Sequence, residues 1–254
     1  MKIKTCLRYP GGKFYGAKII LPLLNTPHSE YREPFIGGAS IFLAKDKAEK
    51  LNWINDKDEE LVNFYKVIQD DFTAEHLYSM LDQEYVDKTR YSEVLKFEPS
   101  DNIERAFKYF YLNRTSFSGI MNKPRWGYLI GSSLTPDNWV GRIKPVAEKL
   151  KNTKITCSDF REILNGGESD VLCYIDPPYY VAAKGIYRIN FTKQDHADLC
   201  DILKNAKFKF ILSYENSPIV NEMYSWANIK TESWVYYLSE ERRQDGKELI
   251  ISNF

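Results

Sequence analysis

Histidine and cysteine are scarce in this 254-residue chain, at three and four residues, and neither type clusters. Cys6, Cys157, Cys173 and Cys200 stand at wide, irregular intervals, which excludes the usual zinc spacings and a disulfide framework. No metal is expected, and a reducing cytoplasm is the expected compartment. His28, His76 and His196 are scattered and receive no role. No apolar run approaches the roughly 18 residues of a membrane span. The opening MKIKTCLRYPGGK lacks the apolar stretch of a signal peptide, so no membrane partner is expected. The chain also lacks the three-glycine dinucleotide fingerprint and any GxxxxGK[ST] phosphate loop, which argues against NAD and ATP. Internal repeats and low-complexity segments are absent too. Nor is there an excess of one charge, with 35 basic residues against 35 acidic.

What is present begins with aromatic residues, 15% of the chain, and with a charge balance that is uneven along it. Between Asp46 and Glu104 lie 16 acidic and 7 basic side chains; between Arg105 and Lys144 lie seven basic residues and Asp137 alone. The basic stretch carries Phe107, Tyr109, Phe110, Tyr111, Phe117, Trp126, Tyr128 and Trp139. Basic residues interleaved with aromatics suit a polyanion whose bases can be touched as well as its phosphates. A solvated face beside a core is the plainer reading of the same stretch.

The hydrophobic pattern predicts an α/β fold. A helix is expected from Phe14 to about Leu24, with Pro22 straining its last turn, then a strand near Glu30–Pro34 and a turn through Phe35–Ser40. A helix over Ile41–Lys50, a strand over Leu51–Asn55 and an amphipathic helix carrying Leu61, Val62, Tyr65 and Ile68 complete a βαβα opening, the mark of a parallel sheet. Asp101 and Glu104 form an expected capping box for a helix with Ile103, Ala106, Phe107, Phe110 and Tyr111 on its apolar face. Loop residues dominate after Arg114, with Tyr128–Ile130 as a possible hairpin arm. Strands at Val171–Ile175 and Phe208–Leu212 flank a helix marked by Ala197, Leu199, Cys200 and Leu203. The close, Ile229–Leu238 and Glu248–Ser252 around Gly246, is expected to be a β-hairpin. The parse is one discontinuous α/β domain, 1–66 with 155–254, interrupted by a mainly helical insert, 67–154.

Three motifs carry chemistry. Asp176-Pro177-Pro178-Tyr179 follows the Val171–Ile175 strand, a string that chance gives a chain of this length on the order of once in a thousand. Ligands of open α/β sheets bind beyond the carboxyl ends of the strands. Two prolines fix the backbone and leave a stiff corner presenting a carboxylate, a carbonyl and a ring. An exocyclic amine on a flat base needs those groups: the Asp176 carboxylate and Pro177 carbonyl accept its two hydrogens, and Tyr179 stacks on its ring. A proline-stiffened turn capped by Asp176 is the structural alternative. The second motif is Glu33-Pro34-Phe35-Ile36-Gly37-Gly38, followed 18 positions after Gly38 by Asp56, an arrangement suited to a nucleoside whose ribose meets the acid. A nucleoside cofactor without a pyrophosphate fits, and S-adenosylmethionine is the one that alkylates amines. The third is Arg8-Tyr9-Pro10-Gly11-Gly12-Lys13, a ring beside a flexible turn and a lysine, which can bracket an adenine or simply precede a helix.

Taken together, these motifs resemble the Dam-type family (D12 class, alpha group) of DNA adenine-N6 methyltransferases. Arg8–Lys13 resembles its RWxGGK motif with Tyr9 at the tryptophan, and Glu33–Ser40 its glycine-rich motif with Ala39 where a glycine is usual. Asp56-Lys57-Asp58 with Leu61 and Tyr65 is similar to its acidic loop, and Asp176–Tyr179 to its catalytic DPPY. Glu104–Arg114, Phe191-Thr192 and Arg242–Phe254 are similar as well. The resemblance implies a Rossmann-like S-adenosylmethionine-dependent methyltransferase sheet with a target-recognition insert and a terminal hairpin. It implies that Tyr9, Lys13, Phe35, Gly37, Gly38, Asp56 and Asp176 contact S-adenosylmethionine, and that Asp176, Pro177 and Tyr179 hold a flipped adenine. Asn113, Arg114, Lys123 and Arg125 are the expected contacts to double-stranded DNA. A monomeric, site-specific enzyme is expected, with restriction–modification as one setting. Methylation of cytosine N4 is the rival chemistry, though the class that does it usually has serine in place of Asp176. A silent DNA-binding paralogue is expected to lack Asp176, Tyr179 or Asp56, and all three are present.

Overall fold

Seven strands form one sheet in the order β3-β2-β1-β4-β5-β7-β6. The computed structural model describes residues 3–13, 16–166, 168–180, 188–189, 191–239 and 242–254, with backbone only over 234–246. The strands are β1 (Glu30–Glu33), β2 (Leu51–Asn55), β3 (Lys154–Thr156), β4 (Val171–Ile175), β5 (Lys209–Glu215), β6 (Asn228–Ser239) and β7 (Arg242–Ser252). Strands β1 to β5 are parallel; β7 joins β5 antiparallel and carries β6 on its outer side. The chain runs outward from β1 through β2 to β3, then returns to β4 on the other flank of β1 and continues to β5. The carboxyl ends of β1 and β4 therefore border the switch point at which open α/β sheets bind ligands. The mixed seven-stranded sheet agrees with the Rossmann-like methyltransferase architecture that the sequence predicts.

Helices cover both faces: α1 (Ala17–Leu23), α2 (Ser40–Ala44), α3 (Glu59–Gln69), α4 (Asp71–Leu81), α5 (Lys88–Lys96), α6 (Asn102–Thr115), α7 (Trp139–Leu150), α8 (Phe160–Leu164), α9 (Lys193–Lys204) and α10 (Pro218–Met223). All five residues of β4 are buried, as its unbroken apolar run demands. Leu172 and Tyr174 join the larger core with α1 to α7, and Val171, Cys173 and Ile175 the core under α8 to α10. Helix starts follow their caps. Asp58 accepts the Glu60 N–H at the head of α3, and Asp101 accepts the N–H groups of Ile103 and Glu104 at the head of α6. The expected Asp101–Glu104 box is shifted by one residue, because Glu104 reaches back to the Ser100 N–H and hydroxyl. Thr192 and Asp195 do form a reciprocal box ahead of α9.

Three sequence expectations change, and one falls outside the described residues. The start of the first helix at Phe14 lies outside the described residues; its body passes through Pro22 to Leu23. The helix expected over Ile41–Lys50 stops at Ala44, because Lys45 is extended and the chain turns back into β2, locked by Asn52 pairing with both backbone groups of Ala48. The terminal hairpin exists, but its strands run on to Ser239 and Arg242, so Gly246 sits in mid-strand opposite Trp234 rather than in the turn. Tyr128–Ile130 is no hairpin arm. Leu129 instead accepts from the N–H groups of Ser132 and Ser133 around Gly131 at φ +86°. The ladder contact in this loop is the bridge between Ser116 and Trp126.

Candidate active site

Beyond Glu33 the chain must turn sharply to enter α2, and the turn is built from Gly37 (φ +44°) and Ala39 (φ +60°). Gly37 is required sterically as well as torsionally, since a Cβ there would lie 2.8 Å from the Tyr9 ring. A Cβ on Gly38 would meet the Tyr9 Cβ at the same distance. The ring of Tyr9 thus lies directly against the glycine turn. Three anchors hold the turn. The Gly37 N–H donates to Asp56 Oδ2 (3.0 Å), the Tyr65 hydroxyl donates to the Gly37 carbonyl (2.8 Å), and the Ile36 N–H donates to the Asn55 carbonyl. Buried Asn55 also donates to the carbonyls of Pro34 and Ser158, tying together the loops after β1, β2 and β3.

Opposite this turn, Asp176 leaves the carboxyl end of β4. Both its oxygens accept from Lys13 Nζ, at 2.7 and 2.8 Å. Lys13 is 3% exposed, and its ammonium also donates to the Tyr179 hydroxyl (3.1 Å) and the Gly11 carbonyl (3.2 Å). The Tyr179 hydroxyl donates in turn to Glu248 Oε1 from β7, and Glu248 Oε2 stands 3.7 Å from Lys13 Nζ. Behind the Tyr179 ring, Tyr214 stacks at 6.3 Å and buried His196 contacts the Tyr214 hydroxyl. Burial raises the carboxyls here: Glu33 to about 8, where nearby Asp176 adds to the shift, and Glu248 to about 7. Burial also lifts Asp56 to about 6, against the hydrogen bonds it accepts from the Asp58 and Gly37 N–H groups. Asp176 is raised by burial and pulled back by Lys13.

These walls enclose a pocket of about 1030 Å³, counting its open mouth. Tyr9, Lys13, Phe35, Gly37, Gly38, Asp56, Asp176 and Tyr179 all line it. Phe35 is fixed there by Phe160 and Phe191, with ring centroids 5.5 and 5.6 Å away. Pro178 lines the pocket as well, whereas Pro177 is buried behind it. Lys13 and Asp176, read separately as cofactor contacts, form an ion pair 163 residues apart in sequence. Glu33 was legible only as part of a motif and Glu248 only as part of the closing segment. No sequence signal marked either as a wall of this cluster. Among the described residues no group of metal-ligating side chains occurs, and no helix is long and apolar enough to cross a membrane.

The four expected DNA contacts separate into two kinds. Asn113 is 0% exposed, which corrects its assignment: its Oδ1 accepts the Arg8 N–H and its Nδ2 donates to the carbonyls of Arg8 and Gly119. Its amide is spent on docking the Arg8–Lys13 motif against the loop after α6. Gly119 permits that closeness, since a Cβ there would lie 2.3 Å from the Arg8 carbonyl. Arg114 is half-buried with its Nε unpaired, and burial together with neighbouring Arg8 lowers its guanidinium to about 10. Lys123 and Arg125 are exposed on the loop that follows.

Residues 9–238 match the family described as D12 class N6 adenine-specific DNA methyltransferase. A Type II methyltransferase, M.MjaIII, of Methanocaldococcus jannaschii is 28% identical, with all of both chains covered. The Type II methyltransferase M1.LlaDCHI of Lactococcus lactis is 25% identical over all of this chain and 96% of its own. A DNA adenine methylase of Vibrio cholerae is 28% identical over 90% of this chain and 87% of its own. The match spans the glycine turn, the Asp56 loop and the Asp176–Tyr179 corner, and the chain belongs to the D12 class of N6 adenine-specific DNA methyltransferases.

Proposed function

We propose that this enzyme takes its methyl group from S-adenosylmethionine and places it on the N6 amine of an adenine turned out of duplex DNA at a specific sequence. The residues of the pocket fit that donor. Asp56, Asp58 and Asp176 give the walls an acidic character that suits a sulfonium and an α-ammonium group. Asp56 stands within reach of a ribose, and the glycine turn under Tyr9 lets a flat nucleoside approach the backbone. When bound, the donor supplies an electrophilic methyl group on a good leaving group.

The observation that carries the reading is the position of Asp176. It stands at the carboxyl end of β4, at the switch point, on a corner stiffened by Pro177 and Pro178 and beside the Tyr179 ring. Although Lys13 occupies one direction of each Asp176 oxygen, a carboxylate has about four acceptor positions, so two remain for an amine. Accepting the amine hydrogens draws its lone pair out of conjugation with the base. Burial raises the Asp176 carboxyl, and the Lys13 ammonium favours its ionised form against that burial. Catalysis then rests on positioning and on preorganised acceptors rather than on a strong base.

In this reading, 1–66 and 155–254 hold donor and adenine, and 67–154 recognises the target. The exposed loop that presents Lys123 and Arg125 also exposes Phe117, Leu129 and Ile130, an arrangement able to meet both phosphates and bases. Arg8 and Arg114 make no ion pair with an acid among the described residues, which leaves their charge for a polyanion.

The test is transfer of a tritiated methyl group to adenine-containing duplexes. Label should be recovered as N6-methyladenine. Asp176→Ala should lower turnover at least about a hundredfold while binding DNA nearly as well as the parent. Label in 4-methylcytosine, or near-normal turnover of the variant, would overturn the assignment.

A further inference from the structure

Glu248 is the one buried acid of the cluster that the reading above leaves without work. It is 2% exposed, and it reaches the Tyr179 hydroxyl from β7, the strand inserted between β5 and β6. Its Oε1 accepts the Tyr179 hydroxyl, while its Oε2 has no hydrogen bond and faces the Lys13 ammonium at 3.7 Å. Leaving a buried carboxylate oxygen unbonded is costly, and that cost falls if the group can take up a proton. Lys13 meanwhile holds both oxygens of Asp176 and the oxygen of Tyr179. A continuous line of hydrogen bonds therefore runs from Asp176 through Lys13 and Tyr179 to Glu248.

Methyl transfer releases a proton that such a line can carry. As the amine nitrogen forms its bond to carbon, the bond between methyl and donor breaks with its electron pair staying on the donor. The nitrogen is left with a positive charge and a surplus proton. We propose that Glu248 is the positioning residue that finally accepts this proton, delivered from Asp176 by way of the Lys13 ammonium and the Tyr179 hydroxyl. Asp176 takes the proton from nitrogen. Lys13 gives one proton to the Tyr179 oxygen as Tyr179 passes its own to Glu248, and Lys13 recovers one from Asp176. Lys13 and Tyr179 end as they began, Asp176 is again a carboxylate ready for the next amine, and the proton resides on Glu248. The inference rests on the reading of Asp176 as the group that holds the amine.

The charges around Glu248 determine when it can serve. Lys13, Asp176 and Tyr179 face it from the pocket side. Tyr174 of β4 stands near enough to feel its charge. Glu215 of β5 and Glu232 of β6 lie directly opposite it in the strand register. Asp176 opposes its ionisation, as burial does, and Lys13 favours it. Burial as the largest influence places Glu248 at about 7. An acceptor must be ionised, so the transfer step should speed up as pH rises through that region and then level off.

The experiment is single-turnover methyl transfer from pH 5.5 to 9 for the parent, Glu248→Gln and Glu248→Asp, alongside infrared spectra of the protein alone over the same range. Expected are a fall of about tenfold or more for Glu248→Gln near neutral pH, at the lower end of general-base effects, loss of the inflection, and its return in Glu248→Asp. The protein alone should show a protonated carboxyl band titrating near 7 that Glu248→Gln lacks. A parent-like rate and profile in Glu248→Gln overturns the inference. So does a slower enzyme that keeps the inflection, because Glu248 would then only orient Lys13. If Glu248→Gln does not fold, Glu248→Asp decides: a parent-like inflection together with a titrating band supports acceptance, and absence of either overturns it. Asp176→Ala separates the two readings, since its failure to reduce turnover removes the assignment of the amine site, whereas an inert Glu248→Gln beside an inactive Asp176→Ala removes only the relay.

Discussion

Ala39 adopts a conformation that an L-residue with a Cβ pays to hold. Its φ of +60° and ψ of +21° are left-handed, yet it is 1% exposed, so its methyl is packed while its backbone is strained. Left-handed backbone costs an alanine roughly 1–2 kcal/mol, and a buried methyl returns about 0.8 kcal/mol. The two nearly cancel. Ala39→Gly is therefore expected to change unfolding free energy by less than about 1 kcal/mol, whereas Ala39→Val, with a branched Cβ in the same conformation, should lose at least roughly 2 kcal/mol. Denaturant unfolding of both variants measures the difference. The residue scale is also where reading from sequence alone is weakest. Asp176, Tyr179 and Asp56 announce themselves by motif and by their places after strands. Glu248 has no such signal, because its role depends on a tyrosine and a lysine that approach it only once the sheet has formed.

At the scale of elements, the Asn113 amide joins the N-terminal motif to the loop after α6, beside the bond from the Arg8 guanidinium to the Ser116 carbonyl. Asn113 satisfies both backbone groups of Arg8, so Asn113→Ala leaves a buried N–H and C=O without partners. A loss of roughly 1–3 kcal/mol per stranded group is expected, together with weaker donor binding, because the Tyr9 ring and Lys13 follow Arg8 along the chain. Thermal unfolding and calorimetric titration with the donor check this; a variant that lost only DNA affinity would restore Asn113 to the DNA surface. Element boundaries were legible where one force dominates. Val171–Ile175 is an apolar run buried along its whole length, and Leu51–Asn55 is held between β1 and β3 by pairing on both sides; both appear as read. The helix expected through Lys50 ends at Ala44 for a tertiary reason: the Asn52 side chain folds back on Ala48, and Lys45 lies over the Tyr31 ring. Gly246 looked like a turn because glycine usually marks one, yet the long pairing of β6 with β7 carries it past as an ordinary strand residue.

For the whole molecule, the buried acids set an unusual response to pH. Asp56, Glu248 and Glu33 bind protons more tightly when folded, near 6, 7 and 8, than in the unfolded chain. Their contribution to stability is complete below their unfolded values and is lost as pH rises through the folded ones. His196 works in the opposite sense. Burial lowers it to about 4, so its contribution is present above its ordinary value of 6.5 and is lost as pH falls. Between about pH 6.5 and 8 the acids prevail, at roughly 1.4 kcal/mol per pH unit for each acid still protonated in the folded chain. The thermal midpoint of the protein without ligand should therefore drop by several degrees across that interval, and Glu33→Gln should flatten the slope. Scanning calorimetry at a series of pH values checks both.

The position of β7 has one more consequence. That strand is not an edge but a keystone, seated between β5 and β6, and it brings Glu248 to a lysine from the opening of the chain. The cluster of Lys13, Asp176, Tyr179 and Glu248 is thus complete only when β7 is paired with β5. Without this ribbon the chain would keep Asp176 and Tyr179 but lack the last carboxyl of the line, and by the relay it should transfer methyl about tenfold more slowly.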